Sequence, residues 1–387
     1  MVNSLHKNLN SSLIMKKIAL SILILISASS FAQQITFDIG SLASQDSGII
    51  AVRELWKSYI HDFKNENDIS VLNYWNKDET DHGFTDIVIS TTLNHSYLKA
   101  NLLTFEIKKV DNQFYRIRNI LTLGNKDYNE FTIIYNVYAR KDLLGYKLYN
   151  SFYVNKPNLQ HFQTDNIDFY YPTGYSFNSQ KATEVDNVYS GLIKTFGNPN
   201  KHKVVYLIGN NLDEAYHNIG VEYTPFSSSD LSAGFNIKNQ NVILSCRENH
   251  LHELVHIIFR RYNGSLLFQE GIATYYGGMG GISYPKRINQ LKKTIASKPD
   301  LDLSKFDDLD NVLNNGDFNN FYIIGAIFID YAFKIGGPEK VSALFRYEDV
   351  DSFKFDGAKK AIEKELGIKN DQINSFLKNY IKNYKDN

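Results

Sequence analysis

The chain has 387 residues, and its 42 lysines and arginines balance its 42 aspartates and glutamates to a formal net charge of zero. This balance gives no indication of nucleic-acid binding or of attraction to an anionic membrane. The hydrophobic fraction of 43% and the charged fraction of 22% are those of a globular protein, and the length is enough for two domains. Because Cys246 is the only cysteine, an intramolecular disulfide is excluded.

The first 32 residues have the pattern of an export signal. The basic stretch Met15-Lys16-Lys17 precedes an apolar run over residues 18–26, and Ser30-Phe31-Ala32 has the small-x-small pattern of a cleavage site. The apolar run is too short to span a bilayer. We therefore predict translation from Met15, cleavage after about Ala32, and an exported chain, periplasmic or extracellular, with no stable membrane insertion.

Residues 33–156 are predicted to form an α+β accessory domain that distantly resembles the SnoaL-like or cystatin-like folds. It contains no set of catalytic residues, so we expect a substrate-binding, inhibitory or spacer role. His61, Asp81 and His82 form either a second metal site or, as we expect, polar loop positions. Periodicity and strand-forming residues predict helices over 49–63 and 70–76, and strands over 98–110, 113–122, 130–139 and 144–154.

Residues 157–387 are predicted to form a second domain, in which a small sheet precedes a helical half. The segments AGFNIK and VILSC, separated by a turn at 239–241, predict a hairpin over 232–245. The segment 300–304 has a faint likeness to a calcium loop but lacks its glycine and final glutamate, so we expect a capped polar loop. The other predicted elements are strands over 167–171 and 204–208 and helices over 178–196, 211–218, 286–297, 318–333, 338–345, 356–365 and 370–384.

A candidate metal site is encoded in the pentapeptide HELVH. His252 and His256 are four residues apart and lie on one face of a helix, where both imidazoles can bind one metal ion with Glu253 beside them. A catalytic zinc site needs a third protein ligand. Glu270 is the candidate, because it follows a short predicted turn and lies early in a second predicted helix over 266–276, which brings it back alongside the histidines.

The residues around HELVH predict a mostly buried helix. Ser245 and Glu248 have the spacing of a capping box, so the helix is expected to start near Cys246. Much of its circumference is covered by apolar residues, among them Leu251, Leu254, Val255, Ile258 and Phe259. Gly264 is expected to follow the end of the helix as its C′ residue.

HELVH followed by an EGIAT helix resembles the gluzincin metallopeptidases, the class that contains thermolysin and the aminopeptidase-N family. FQEGIATYYGG is similar to the E-G-x-A-T segment of the aminopeptidase-like branch. The resemblance extends from residue 158 to the C-terminus and departs from the family in one respect. Thirteen residues separate His256 from Glu270, fewer than in the best-known members. The resemblance implies a Zn²⁺ held by His252, His256 and Glu270, with Glu253 as general base.

Three further features accompany this resemblance. Tyr322-Ile323-Ile324-Gly325 matches the family's Y-x-x-G, whose tyrosine hydroxyl stabilises the tetrahedral intermediate, and Tyr331 is the competing candidate. Thr274, one turn after Glu270, either hydrogen-bonds a metal ligand or only packs in its helix. The predicted hairpin matches the gluzincin edge strand that lies along the substrate cleft, and a plain structural hairpin is the alternative.

The sequence therefore predicts an α+β protein in which an N-terminal helix-plus-antiparallel-sheet domain is followed by a gluzincin-type domain, made of a small sheet, an HExxH helix and a helical C-terminal half. We expect an exported zinc-dependent metallopeptidase that hydrolyses peptide or protein substrates. Two alternatives stay open. One is a catalytically silent zinc-scaffold binding protein of the same fold, and the other is a structural protein in which HELVH is a coincidence.

Overall fold

A computed structural model of the chain describes residues 35–37, 44–64, 71–82, 84–88, 100–124, 129–198, 200–225, 234–237, 240–307, 318–349 and 355–385. The expected signal peptide lies outside the described residues, so its cleavage and the export of the chain stay predictions. Among the described residues, sheets dominate the N-terminal half and helices the C-terminal half, which confirms the expected α+β class.

The described residues group into two compact units. The sheet unit contains those within 21–179 and 202–248, and the helical unit contains those within 180–201 and 249–387. This grouping cuts across the boundary expected between residues 156 and 157. The assignment of 33–156 to an accessory domain and of 157–387 to a metallopeptidase domain stays a prediction.

The first sheet of the sheet unit is mostly antiparallel. Strand β1 pairs with β2 in parallel, β2 to β5 follow one another antiparallel, and β9 pairs with β4. The strands are β1 (Ile35–Phe37), β2 (Ala100–Lys109), β3 (Phe114–Gly124), β4 (Asn129–Asp142), β5 (Gly145–Asn150) and β9 (Val221–Tyr223). Helix α1 (Ser47–Lys64) places Trp56 against this sheet, where its indole N–H donates to Thr104 Oγ1 at 2.9 Å.

Two predictions in this part of the chain are wrong in their bounds. Of the helix expected over 70–76, residue 70 lies outside the described residues and the helix ends at Leu72, because Trp75 bridges to Leu148 and a separate helix, α2 (Lys77–Asp81), begins later. The strand expected over 144–154 ends at Asn150, and helix α3 (Ser151–Asn155) follows. Both outcomes depend on contacts between distant residues. The buried carboxyl group of Glu79 in α2 accepts hydrogen bonds from the backbone and side-chain amides of Asn150, at 3.1 and 2.9 Å.

The second sheet has the strand order β10-β11-β8-β7-β6, with a parallel centre and an antiparallel strand at each edge. The expected hairpin is present as β10 and β11, whereas β6 and β9 were not expected from their short and partly polar sequences. The strands are β6 (Leu159–Gln163), β7 (Ile167–Pro172), β8 (Val204–Ile208), β10 (Gly234–Ile237) and β11 (Val242–Ser245), and helix α5 (Leu212–Asn218) follows β8. Residues of both sheets share one hydrophobic core, which includes Trp56, Leu148 and Leu207.

The helical unit is built around one long apolar helix. Gly337, with φ of 64°, and Gly336 break this helix, α9 (Phe318–Leu344), into the two segments that the sequence predicts. It contains a stretch, Asn320–Leu344, long and apolar enough to cross a membrane, but 61% of an apolar window of 18 residues within it is buried, as in a core helix. The other helices are α4 (Ser179–Phe196), α6 (Leu251–Phe259), α7 (Leu266–Gly277), α8 (Tyr284–Ser297), α10 (Asp356–Leu366) and α11 (Ile373–Asn383).

Candidate metal centre

Helix α6, which carries HELVH, starts later than its sequence suggests. The expected capping box is wrong, because Ser245 ends β11 and pairs there with Ile208 and Gly234. The side chain of Glu248 instead accepts a hydrogen bond from the backbone N–H of Asn178 at 2.7 Å. The helix therefore begins at Leu251.

The connection between α6 and α7 explains how the two helices return alongside each other. Gly264 is not the C′ residue of α6, which already ends at Phe259. Its role is close packing, since a Cβ there would lie 2.8 Å from the Cα of Phe345. Ser265 then caps α7, with its hydroxyl accepting from the N–H of Leu267 at 3.3 Å. The expected turn between the two helices therefore depends on the close packing of Gly264 and on the N-cap Ser265.

The three expected ligands converge on one point. Glu270 Oε2 lies 3.3 Å from His252 Nε2 and 3.6 Å from His256 Nε2, and one ligand atom from each residue lies within 4.8 Å of the other two. The side chains of His252, Glu270 and His256 are only 11%, 13% and 20% exposed. No other group of three His, Cys, Asp or Glu side chains within the described ranges has this arrangement. The three side chains therefore form a small, mostly buried donor set with the dimensions of a metal site.

The charges of Glu270 and His256 depend on each other. Burial raises the pKa of the Glu270 carboxyl, but the charge of His256 and the hydrogen bonds from both histidines outweigh it and hold that pKa well below its usual range. Burial lowers the pKa of His256, but Glu270 and Glu253 together raise it to about 9. Glu270 is therefore ionised, and the site favours positive charge beside it.

A hydrogen bond outside the expected ligand set orients His252. Its Nδ1 lies 2.8 Å from the carbonyl oxygen of Gly278, and because a carbonyl only accepts, Nδ1 carries the proton. The other ring nitrogen is then the one directed at Glu270, as in metal-binding histidines held by a second partner. Gly277 allows this approach, since a Cβ there would lie 2.3 Å from the backbone nitrogen of His252. Sequence reasoning missed this contact, although the pair Gly277-Gly278 at the end of the EGIAT helix was its signal.

Tyr322 is brought into the site and Tyr331 is not. The ring of Tyr322 lies 6.1 Å from that of His252, and its hydroxyl hydrogen-bonds to Glu270. Burial and the charges of Glu270 and Glu253 raise the pKa of Tyr322 well above 10, so its hydroxyl stays protonated. Tyr331 instead packs against Phe376 of α11, with ring centroids 4.8 Å apart.

Two glycines set the distance between the helices that carry Glu270 and Tyr322. A Cβ on Gly271 of α7 would lie 2.4 Å from the carbonyl carbon of Gly325 in α9, and a Cβ on Gly325 would lie 2.2 Å from the carbonyl oxygen of Leu267. The helices therefore cross at backbone contact, where each site residue stands close to a glycine of the same helix. The glycines of E-G and Y-x-x-G thus have a packing role in this chain.

Glu253 follows His252 in α6, and its side chain is as buried as that of Glu270, at 13% exposed. Its nearest basic group is His250, whose Nε2 is 3.9 Å from Glu253 Oε1 and which is itself buried. Sequence reasoning did not single out His250, which precedes α6. Thr274 is fully buried, and its hydroxyl has no hydrogen-bond partner in the described part of the chain. The packing alternative for Thr274 is therefore the one observed, and not a bond to a ligand.

His61, Asp81 and His82 are not the loop positions expected, because His61 lies within α1, Asp81 is the last residue of α2 and His82 is its C-cap. His61 is exposed and pairs with Asp62 at 3.2 Å, while His82 is exposed and contacts His202 at a ring separation of 5.2 Å. Within the described residues, neither histidine belongs to a group of three potential metal ligands. In the segment with a likeness to a calcium loop, Asp302 accepts hydrogen bonds from the backbone and hydroxyl of Ser304, as in a capped loop.

Comparison of the chain with protein-family models and with curated proteins gave no match. The evidence for a function therefore comes from the residues of the site and their arrangement.

Proposed function

We propose that the chain is an exported zinc-dependent metallopeptidase that hydrolyses peptide bonds with water. The observation that supports this most directly is the convergence of His252, His256 and Glu270, with ligand atoms within 4.8 Å of one another in a mostly buried site. Two imidazoles and one carboxylate are the protein ligands of a common type of catalytic zinc site.

The chemistry of the donor set fits zinc. Imidazole nitrogen suits zinc and several transition metals. Two neutral imidazoles and one ionised carboxylate carry one negative charge in total, which suits a divalent cation. The hydrogen bond from His252 Nδ1 to Gly278 is the kind of outer contact that orients a metal-binding histidine. When bound, zinc supplies Lewis-acid chemistry, which polarises a carbonyl group and lowers the pKa of water.

Two further residues of the site have roles that follow from their surroundings. Glu253 is next to His252 in sequence, and its charge acts on both His256 and Tyr322. Its carboxylate would accept a proton from water and pass it to the leaving amine. Tyr322 stays protonated, so its hydroxyl donates a hydrogen bond to the oxygen that becomes negative on the attacked carbonyl. A site that only held zinc as a scaffold needs neither group, so their presence favours catalysis over the silent-scaffold alternative.

Metal content tests the first half of the proposal. We expect about one zinc per chain in gently purified protein, and loss of that zinc in His256→Ala and Glu270→Ala. His82→Ala removes an exposed histidine outside the site and is expected to retain zinc. A wild-type chain that takes up no zinc even when the metal is added would mean that HELVH is a coincidence.

Hydrolysis of an unfolded polypeptide tests the second half. We expect activity that a zinc chelator abolishes and added zinc restores. A chain that holds zinc at full occupancy but cleaves no polypeptide supports the scaffold alternative. An activity that survives chelation and is blocked by a serine-directed reagent contradicts the whole proposal.

A further inference from the structure

The tip of the β4–β5 hairpin carries two fully exposed leucines. Leu143 and Leu144 have relative accessibilities of 103% and 89%, the highest of the seven large apolar residues exposed among the described ones. Single exposed leucines are ordinary on protein surfaces, whereas contiguous exposed apolar residues mark interaction sites.

The turn itself does not require leucine at either position. Asp142 and Gly145 are paired across it, the Asp142 carboxylate accepts the N–H of Leu144 at 2.7 Å, and Gly145 takes the positive φ of 119°. Neither leucine has a positive φ, so the two positions accept most residue types. The apolar character of the tip is therefore independent of hairpin folding.

A second apolar group lies at the same end of this sheet. Val110 begins the β2–β3 turn and is 42% exposed, and its N–H donates to the carbonyl of Phe114 at 3.0 Å. Phe114 pairs with Arg140 of β4, two residues before the leucine turn, so the two turns are neighbours. Three of the seven exposed large apolar residues in the described ranges thus lie together.

The charges around these turns are mostly positive. The segments 108–113 and 141–147 contain four lysines and two aspartates. Both aspartates are turned to their own backbone, since Asp111 accepts the N–H groups of Gln113 and Phe114 at 2.6 and 2.7 Å, as Asp142 does for Leu144. The exposed residues of these segments therefore include three lysines and three apolar residues, beside the two aspartates and the uncharged Asn112 and Gln113: Lys108, Lys109, Val110, Lys141, Leu143 and Leu144.

We propose that this end of the first sheet is a docking surface for an anionic lipid membrane. The leucines enter the boundary between headgroups and acyl chains, and the lysines meet lipid phosphates. Protein interfaces are depleted in lysine and enriched in aromatic residues, so the composition favours lipid over a protein partner. Such binding is reversible and local, and it needs only the charges near the turns, not a net charge of the whole chain. It does not depend on the metal site.

Vesicle binding tests the surface. Full-length protein is expected to sediment with vesicles of phosphatidylcholine and phosphatidylglycerol and much less with phosphatidylcholine alone. Leu143→Ser/Leu144→Ser is expected to weaken binding to the mixed vesicles at least about tenfold, because each leucine contributes burial of apolar surface. Val188→Ser/Ile335→Ser removes two exposed apolar residues of the helical unit and is expected to bind like the wild type.

Fluorescence reports insertion itself. The two tryptophans of the chain, Trp56 and Trp75, are both buried, so a tryptophan introduced as Leu144→Trp has a distinct environment. Its emission is expected to shift to the blue with mixed vesicles. No shift, no binding by the wild type, or equal binding by the double serine variant overturns the proposal. Self-association that depends on concentration and disappears in the double serine variant assigns the surface to a second copy of the chain instead.

Discussion

Replacement of Gly325 by alanine is the sharpest test of how the candidate centre is assembled. The new Cβ would lie 2.2 Å from the carbonyl oxygen of Leu267, and real Cβ atoms essentially never approach closer than 3.0 Å. The obstacle is backbone, which cannot rotate away as a side chain can. Helices α7 and α9 must therefore separate by about 0.8 Å or more at their crossing, the difference between these two distances.

The size of the effect follows from this displacement. Overpacking of a well-packed contact costs about 1–3 kcal/mol, so we expect a measurable fall in the midpoint of thermal unfolding. Tyr322 is one helical turn before Gly325 and moves with α9 relative to Glu270. A displacement near 1 Å of a positioned group can reduce the rate about 10²-fold, so we expect kcat to fall by about that factor.

The assay measures four quantities for each variant: kcat and KM on an unfolded polypeptide, zinc content, and the midpoint of thermal unfolding. Gly191→Ala is the matched control, because it lies within α4 and no atom would lie within 4 Å of its Cβ. This control is expected to keep wild-type kcat and to gain up to about 1 kcal/mol of stability. If Gly325→Ala has wild-type kcat, or if its effect adds in full to that of Tyr322→Phe, the glycine does not act through Tyr322.

Three further predictions concern single side chains. Glu253→Gln is expected to retain zinc while kcat falls by about 10²–10⁴, and a parallel loss of zinc would show that Glu253 has another role. Tyr322→Phe is expected to lower kcat about 10²–10³-fold with little change in KM, whereas Tyr331→Phe stays near wild type, and the reverse result moves the role to Tyr331. Glu79→Gln tests pH dependence: burial raises the pKa of Glu79 to about 8, so the folded state holds this proton more tightly and stability falls as pH rises from about 5 to 8. Glu79→Gln cannot titrate at this position, so its stability is expected to lack this fall. Urea unfolding of both proteins at about pH 5 and pH 8 measures the difference in the free energy of unfolding. If that difference is the same at the two pH values, Glu79 does not have a raised pKa.

Most helices were predictable because their signals are local. The helical repeat of α1, the apolar face of α6 and the returning EGIAT segment are readable within a window of a few turns. Spacing of four residues in HELVH fixes the side on which the histidines project, whatever surrounds the helix. The convergence of both histidines with Glu270 was therefore accessible from the sequence, and the described geometry agrees with it.

The errors occur where distant residues compete for the same segment. Ser245 has the right spacing from Glu248 to cap a helix, but Ser245 is the last residue of β11 and pairs with Ile208 of β8. The strand expected to continue past Asn150 stops because Asn150 bonds the buried Glu79, 71 residues away. Local propensity carries no information about such partners, so strand ends and helix caps are the features that the sequence predicts least accurately.

The short connection between the histidines and Glu270 was the main departure from the gluzincin pattern, and the structure gives a physical account of it. Helix α6 ends at Phe259 and α7 begins at Leu266, so only residues 260–265 join them. Gly264 lets this connection lie against Phe345, and Gly277 lets the far end of α7 lie against His252. Close backbone contacts thus form at both ends of α7. The convergence of the three candidate ligands therefore depends on missing Cβ atoms at Gly264 and Gly277, which predicts that Gly277→Ala lowers the zinc content of the purified chain.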